Sequence, residues 1–245
     1  MTAPYYEDDL VTLYLGDCLE ITEWLAADVL VTDPPYGIDR AQAKGGYRGK
    51  GSQVVIKNAV AGDKTAAARD GVLAAWGGKP AIVFGSWRVA RPDATKHRLI
   101  WHKKGQAPGP CNAPFMSQDE EIYVLGSGFL STSPPMRSVI TTSEARSVEV
   151  ARIGHPTPKP VGLMEVLIGR CPPGVIADPF AGSGATLIAA RNLGRQSIGV
   201  ELEERYCELI SKRLSQQAFD LDNIPEIFPG TLAALDALTI RKATP

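Results

Sequence analysis

Asp33-Pro34-Pro35-Tyr36 puts a carboxylate, a free carbonyl and an aromatic ring on one stiff corner. Asp33 brings acceptor oxygens. The Pro34 carbonyl is followed by a second proline, which has no N–H to give it. Tyr36 adds a flat apolar face with a polar tip. Two acceptors beside a stacking ring suit a planar ring that carries an exocyclic amino group, with one acceptor for each N–H bond. A polar turn at a strand end is the plainer reading of the same four residues.

A second candidate is Asp178-Pro-Phe180-Ala-Gly182-Ser-Gly184. Glycines between a strand and a helix let a ligand approach the backbone closely. Glu201 follows at the end of the next apolar run, where doubly wound folds place an acid for ribose hydroxyls. No G-x-G-x-x-G and no G-K-[ST] is present, so the expected ligand is a nucleoside with little or no phosphate. Directly after the Asp33 corner come Arg40, Lys44, Arg48, Lys50 and Lys57, with no acidic residue from Arg40 to Lys57. Tyr47 lies among them. Cations mixed with an aromatic ring suit phosphates and bases; a solvated loop is the alternative.

These residues need elements to hold them. Val29 to Val31 reads as a buried strand delivering Asp33. Val11 to Leu15 reads as a strand ending at Gly16-Asp17, with a helix over Cys18 to Leu25 after it. Asp63 is expected to cap a helix from Lys64 to Trp76, which Gly77-Gly78 ends. Strands are expected at Ala81–Phe84, His97–Lys103 and Glu120–Leu125, with a short helical piece before Pro92. Trp76, Trp87 and Trp101 are expected in core or turn packing. The Gly- and Pro-rich stretch 104–118 reads as a loop, and 126–154 as an irregular insert. Val161 to Cys171 is an amphipathic helix, and Val175 to Ala177 a strand running into Asp178. A helix over Ala185–Leu193, a strand over Ser197–Val200 and a helix over Glu203–Gln217 follow, with a weak helix near Thr231–Leu238 in the tail. Alternating strands and helices imply an α/β layered domain with a mostly parallel sheet.

Composition narrows the classes. At 245 residues and 44% hydrophobic content, the chain can bury one large core. Its net charge of -1 argues against coating nucleic acid by bulk electrostatics. No apolar run approaches the ~18 residues of a membrane span, and the acidic start lacks an apolar signal core, so a cytoplasmic setting is expected. Cys18, Cys111, Cys171 and Cys207 are scattered, and His97, His102 and His155 have no ligand spacing, so neither disulfides nor a metal is expected.

Taken together, Asp33-Pro-Pro-Tyr36 and Asp178-Pro-Phe-Ala-Gly-Ser-Gly184 resemble the amino-group DNA methyltransferases that use S-adenosyl-L-methionine. The resemblance covers most of residues 10–217. It includes Gly16-Asp17, His155-Pro-Thr-Pro-Lys-Pro160, Glu201 and Tyr206. The order, acceptor corner first and glycine loop last, is similar to the beta class. The resemblance implies a Rossmann-like methyltransferase fold with a mostly parallel seven-stranded sheet containing one antiparallel strand. It implies one permuted domain over 1–217 and a tail over 218–245. Within the domain, 37–62 would be a catalytic and DNA loop and 126–154 a short target-recognition insert.

Residue by residue, the resemblance gives Asp33, Pro34, Pro35 and Tyr36 to catalysis. Phe180, Gly182 and Gly184 would line the cofactor, with Asp178 near its methionine part. Glu201 would take the ribose hydroxyls and Asp17 the adenine, and Thr157 and Lys159 would close over the methionine end. The expected activity is site-specific methylation of the N6 amino group of a flipped adenine in double-stranded DNA, by a monomer or homodimer without metal. Asp at the first corner position favours adenine by family tendency. N4-cytosine methylation, methylation of RNA or of protein glutamine, and a non-catalytic DNA-binding module are the alternatives. Methyl transfer to an exocyclic amine requires no covalent intermediate, so no cysteine is expected in catalysis.

Overall fold

A computed structural model of the chain describes residues 2–37, 65–104, 115, 117–132, 135–142 and 158–222. Two units divide the chain, Met1–Ile210 and Ser211–Pro245. Of the second, residues 211–222 are described, and they are helical.

The first unit is built on one sheet. Its strands are β1 (Tyr6–Glu7), β2 (Val11–Leu15), β3 (Val29–Thr32), β4 (Ala81–Gly85), β5 (Thr95–Lys103), β6 (Asp119–Leu125), β7 (Val139–Thr142), β8 (Ile176–Asp178) and β9 (Ser197–Glu201). The helices are α1 (Ala67–Trp76), α2 (Val161–Ile168), α3 (Ala185–Asn192) and α4 (Glu204–Asp222). The sheet order is β1-β2-β9-β8-β3-β4-β6-β5-β7. From β2 to β4 every pairing is parallel; β6 runs antiparallel to both its neighbours, and β1 is antiparallel to β2.

The seven expected strands with one reversed member form the middle of this sheet. Two edge strands, β1 and β7, raise the count to nine among the described residues. β7 corrects the reading of 126–154 as wholly irregular. Val139-Ile-Thr-Thr142 is a β-branched run that pairs in parallel with β5, and the Trp101 indole donates to the Thr142 hydroxyl at 2.9 Å.

Strands β3, β4 and β8 are buried along their whole length, as parallel strands covered on both faces must be. Val29 and Val31 point to one face, against Leu163, Met164 and Leu167 of α2 and Ala189 of α3. Leu30 points to the other, against Trp24, Val72 and Trp76. Trp24 and Trp76 stack there at 5.8 Å between ring centroids.

Two expected helices are absent. Residues 18–25 form turns and a short 3-10 helix at Glu23–Ala26. The buried side chains here are Cys18, Ile21, Trp24 and Ala27, a strict spacing of three. That period matches the 3.0 residues per turn of a 3-10 helix. Before Pro92 there is only a turn, with Val89 N–H donating to the Ser86 carbonyl at 3.1 Å. α1 begins after Ala66, with no side-chain cap, and ends at left-handed Gly77; Asp63 lies outside the described residues. Trp76 and Trp101 are buried, but Trp87 is 68% exposed, against the expectation of packing.

Candidate active site

The chain leaves β3 toward α1 and β4 on one side, and leaves β8 toward α3 and β9 on the other. β3 and β8 are neighbours, so their carboxyl ends flank the point where the sheet's winding reverses, the place where open α/β sheets bind ligands. A cavity of about 370 Å³ opens there. Its walls come from four strand ends: Gly16 and Asp17 after β2, Asp33 to Tyr36 after β3, Asp178 to Ser183 at β8, and Glu201 to Glu203 at β9. The acceptor corner and the glycine loop, far apart in sequence, thus share one space. Thr32 ties them, donating its hydroxyl to Asp178 Oδ1 at 2.7 Å.

The glycine loop is shaped from within. Gly182 and Gly184 both have left-handed backbone. A Cβ on Gly184 would stand 2.8 Å from Ile210 Cγ1. Gly182 N–H donates to Glu201 Oε2 at 2.7 Å, and Glu203 N–H to Oε1 at 2.8 Å. Each Glu201 oxygen keeps a further lone pair for a ligand hydroxyl. Burial pushes the Glu201 carboxyl above the usual range.

Asp178 is fully buried, and burial pushes its carboxyl up to about 6 against hydrogen bonds from Thr186, Thr32 and the Phe180 N–H. A carboxyl whose folded value lies above its unfolded one costs stability once it ionises, so stability falls as pH climbs from ~4 to ~6. Asp178→Asn keeps the Oδ1 acceptor and removes the charge. It is expected to resist urea by about 2 kcal/mol more than wild type at pH 8, with the gain shrinking at pH 4.5. An equal difference at both pH values would count against the buried charge as its cause.

The other wall carries an ion network. Asp33 Oδ1 accepts the Tyr36 hydroxyl at 2.7 Å, and Asp33 Oδ2 accepts Lys159 Nζ. Lys159 also lies 3.3 Å from Glu120 Oε2, and Glu120 Oε1 pairs with Lys103. The Lys159 ammonium sits 4.9 Å from the Phe84 ring centroid. Lys159, expected at the methionine end of a cofactor, lines the cavity with its ammonium on Asp33.

Asp17 is on the cavity wall, with Oδ1 accepting the Leu19 N–H at 2.9 Å. Pro34, Pro35, Phe180, Gly182 and Tyr206 line the same space. Thr157, His155, Arg40, Lys44, Arg48, Lys50 and Lys57 lie outside the described residues. Sequence reasoning missed Glu120 and Lys103. Their signal was charge inside strand-forming runs: Asp119-Glu120-Glu121 opens β6, and Lys103 closes β5 beside it. Among the described residues Cys18, Cys171 and Cys207 are buried thiols outside any disulfide, each pushed up to about 12 by that burial, so none is a thiolate at neutral pH. No group of three or more His, Cys, Asp or Glu among the described residues could hold a metal ion, and no described helix is long and apolar enough to cross a membrane.

Asp17, Asp33, Asp178, Glu201 and Glu203 all border the cavity, against one lysine. That excess of acid suits a ligand bearing positive charge and hydroxyls, and disfavours a polyphosphate. Sheet order and pocket together define a Rossmann-like α/β protein with an acid-lined cavity at the reversal of its winding.

Known proteins carry the comparison further. Residues 133–212 match the family model described as DNA methylase, N6/N4 type. The chain is 26% identical over 258 residues to the type II methyltransferase M2.LlaDCHI of Lactococcus lactis subsp. cremoris, covering 89% of this chain and 94% of that protein. It is 27% identical to the type II methyltransferase M.ScaI of Streptomyces caespitosus, covering 89% and 86%. In fold it is similar to the PvuII cytosine-N4-specific DNA methyltransferase, with a TM-score of 0.60, 14% identity and coverage of 92% and 90%. It is also similar in fold to the M1.HpyAVI–SAM complex, with a TM-score of 0.56, 20% identity and coverage of 83% and 100%. These similarities, over residues 133–212 to the family model and over most of the chain to the type II methyltransferases, support an amino-group DNA methyltransferase.

Proposed function

We propose that the chain moves a methyl group from S-adenosyl-L-methionine to the N6 amino group of an adenine in double-stranded DNA. The observation that carries this reading is the single cavity shared by the Asp33–Tyr36 corner and the Asp178–Ser183 loop. Bound S-adenosylmethionine supplies an electrophilic methyl group on a sulfonium. The cavity fits it: Glu201 offers acceptors for ribose hydroxyls, the left-handed glycines open the backbone, and the acidic walls favour a cation.

The chain's own residues then prepare the amine. Its lone pair is delocalised into the base, so it is a poor nucleophile. Asp33 and the Pro34 carbonyl accept its two N–H bonds, favouring a pyramidal nitrogen whose lone pair turns toward the methyl group. Positioning and charge stabilisation supply the rate, with no covalent enzyme intermediate. The base leaves the duplex at a cost of a few kcal/mol, and stacking on Tyr36 returns about 1–3 kcal/mol. The basic run from Arg40 to Lys57 and the insert at 126–154 are assigned to the DNA.

Asp33 at the first corner position supports adenine. A second reading, N4-cytosine methylation, draws support from the fold likeness to the cytosine-N4-specific PvuII enzyme. The test is transfer of a labelled methyl group from S-adenosylmethionine to duplex DNA, followed by nucleoside analysis. Labelled N6-methyl-2′-deoxyadenosine is the expected product. Labelled N4-methyl-2′-deoxycytidine would move the assignment to the second reading, and DNA left unlabelled beside labelled RNA or protein would overturn both.

A further inference from the structure

Four charges alternate in a chain that starts at the cavity wall with Asp33 and Lys159 and runs back through Glu120 to Lys103. The side chains of Lys103, Glu120 and Lys159 are nearly buried, and Asp33 is about a quarter exposed toward the cavity. Glu120 sits at the hub. Its Oε2 is 3.3 Å from Lys159 Nζ and 3.1 Å from the Tyr36 hydroxyl, the same two groups that hold the Asp33 carboxylate. Its Oε1 is fixed by Lys103, whose ammonium also lies 4.7 Å from the Trp101 ring centroid. Glu121, the next residue, serves the other face of β6, accepting from Arg98 at 3.0 Å and from the Tyr123 hydroxyl at 2.5 Å. The two glutamates therefore have separate duties, and only Glu120 faces the corner.

We infer that Glu120 is a positioning residue for methyl transfer, acting through Lys159 and Tyr36. The inference rests on the reading of Asp33 as the group that accepts an amine N–H. Lys159 and that amine compete for the same carboxylate. Glu120 gives the ammonium a second anion to lean on, so Asp33 keeps an oxygen free to turn to the base. It also fixes the Tyr36 hydroxyl, and with it the ring on which the base stacks. Without the Glu120 charge, the ammonium of Lys159 settles fully on Asp33, and the amine must displace it.

Glu120 touches Lys159 and the Tyr36 hydroxyl, the two groups that hold Asp33, so its loss is expected to act on the acceptor corner more than on the Glu201 and glycine-loop side. The experiment compares wild type, Glu120→Gln and the pair Lys103→Met with Glu120→Gln. It measures kcat for methyl transfer to DNA, and the dissociation constant of S-adenosylmethionine by calorimetry. Glu120→Gln is expected to lower kcat by about 10- to 100-fold with cofactor affinity within about twofold. The double variant removes the stranded Lys103 cation together with its partner, and is expected to recover part of the lost kcat. If Glu120→Gln alone does not fold, the double variant decides: kcat several-fold below wild type supports the inference. Wild-type kcat in either variant overturns it, and so does a loss of kcat matched by an equal loss of cofactor affinity. Activity surviving in Asp33→Ala would instead strike at the reading beneath, and is scored separately.

Discussion

Asp33→Ala is expected to lower methyl transfer by at least about 10³-fold while S-adenosylmethionine binds within about threefold of wild type. The split follows from position. Asp33 follows β3, on the corner wall, whereas Glu201 and the glycine loop stand at β8 and β9. Alanine removes the acceptor for one amine N–H and leaves the cofactor half untouched. Lys159 loses one anion and keeps Glu120 at 3.3 Å, so the buried ammonium is not stranded. Asp33→Asn keeps a carbonyl acceptor without the charge and should lie between the two. Labelled-methyl transfer gives the rate and calorimetry the affinity. Near-wild-type turnover in Asp33→Ala would remove this carboxylate from the chemistry.

Glu201→Ala is expected to do the reverse, weakening cofactor binding by about 100-fold or more while kcat at saturating cofactor stays within about tenfold. The effect is large because one side chain has two tasks. It offers acceptors to a ligand, and it holds the Gly182 N–H at 2.7 Å and the Glu203 N–H at 2.8 Å. Removing it loosens the glycine loop as well as deleting the contact. Glu201→Gln keeps one acceptor and should lose less. Calorimetric titration reads the affinity directly, and an unchanged value in Glu201→Ala would show that the ligand is held elsewhere.

Much of the architecture was legible because its signals are local. Val29-Leu-Val31 is apolar on both faces, as a central parallel strand has to be, and the two prolines after Asp33 forbid its extension. The glycine loop was legible because positive φ and close packing leave few other residues acceptable. The stretch 18–27 misled because its buried positions recur every three residues, a period easily read as an α-helical stripe. β7 was hidden by its Ser- and Pro-rich surroundings, and became a strand only because β5 offered it an edge. Trp87 was misjudged because residue type says little about exposure where a turn carries the side chain outward. The Glu120 hub was least visible of all. Its partners come from β5, from the residues after β3 and from the approach to α2, and only the tertiary fold brings them together.

The Thr32–Asp178 hydrogen bond joins the ends of two adjacent strands, so the reach from acceptor corner to glycine loop is a lattice constant of the sheet, roughly 4.8 Å per strand. No hinge has to close to bring the two halves into register. The turns at the opposite rim, such as Gly77-Gly78 and Gly194, have open space around them and no say in that distance. Length variation there leaves the reaction coordinate where the backbone ladder has already set it.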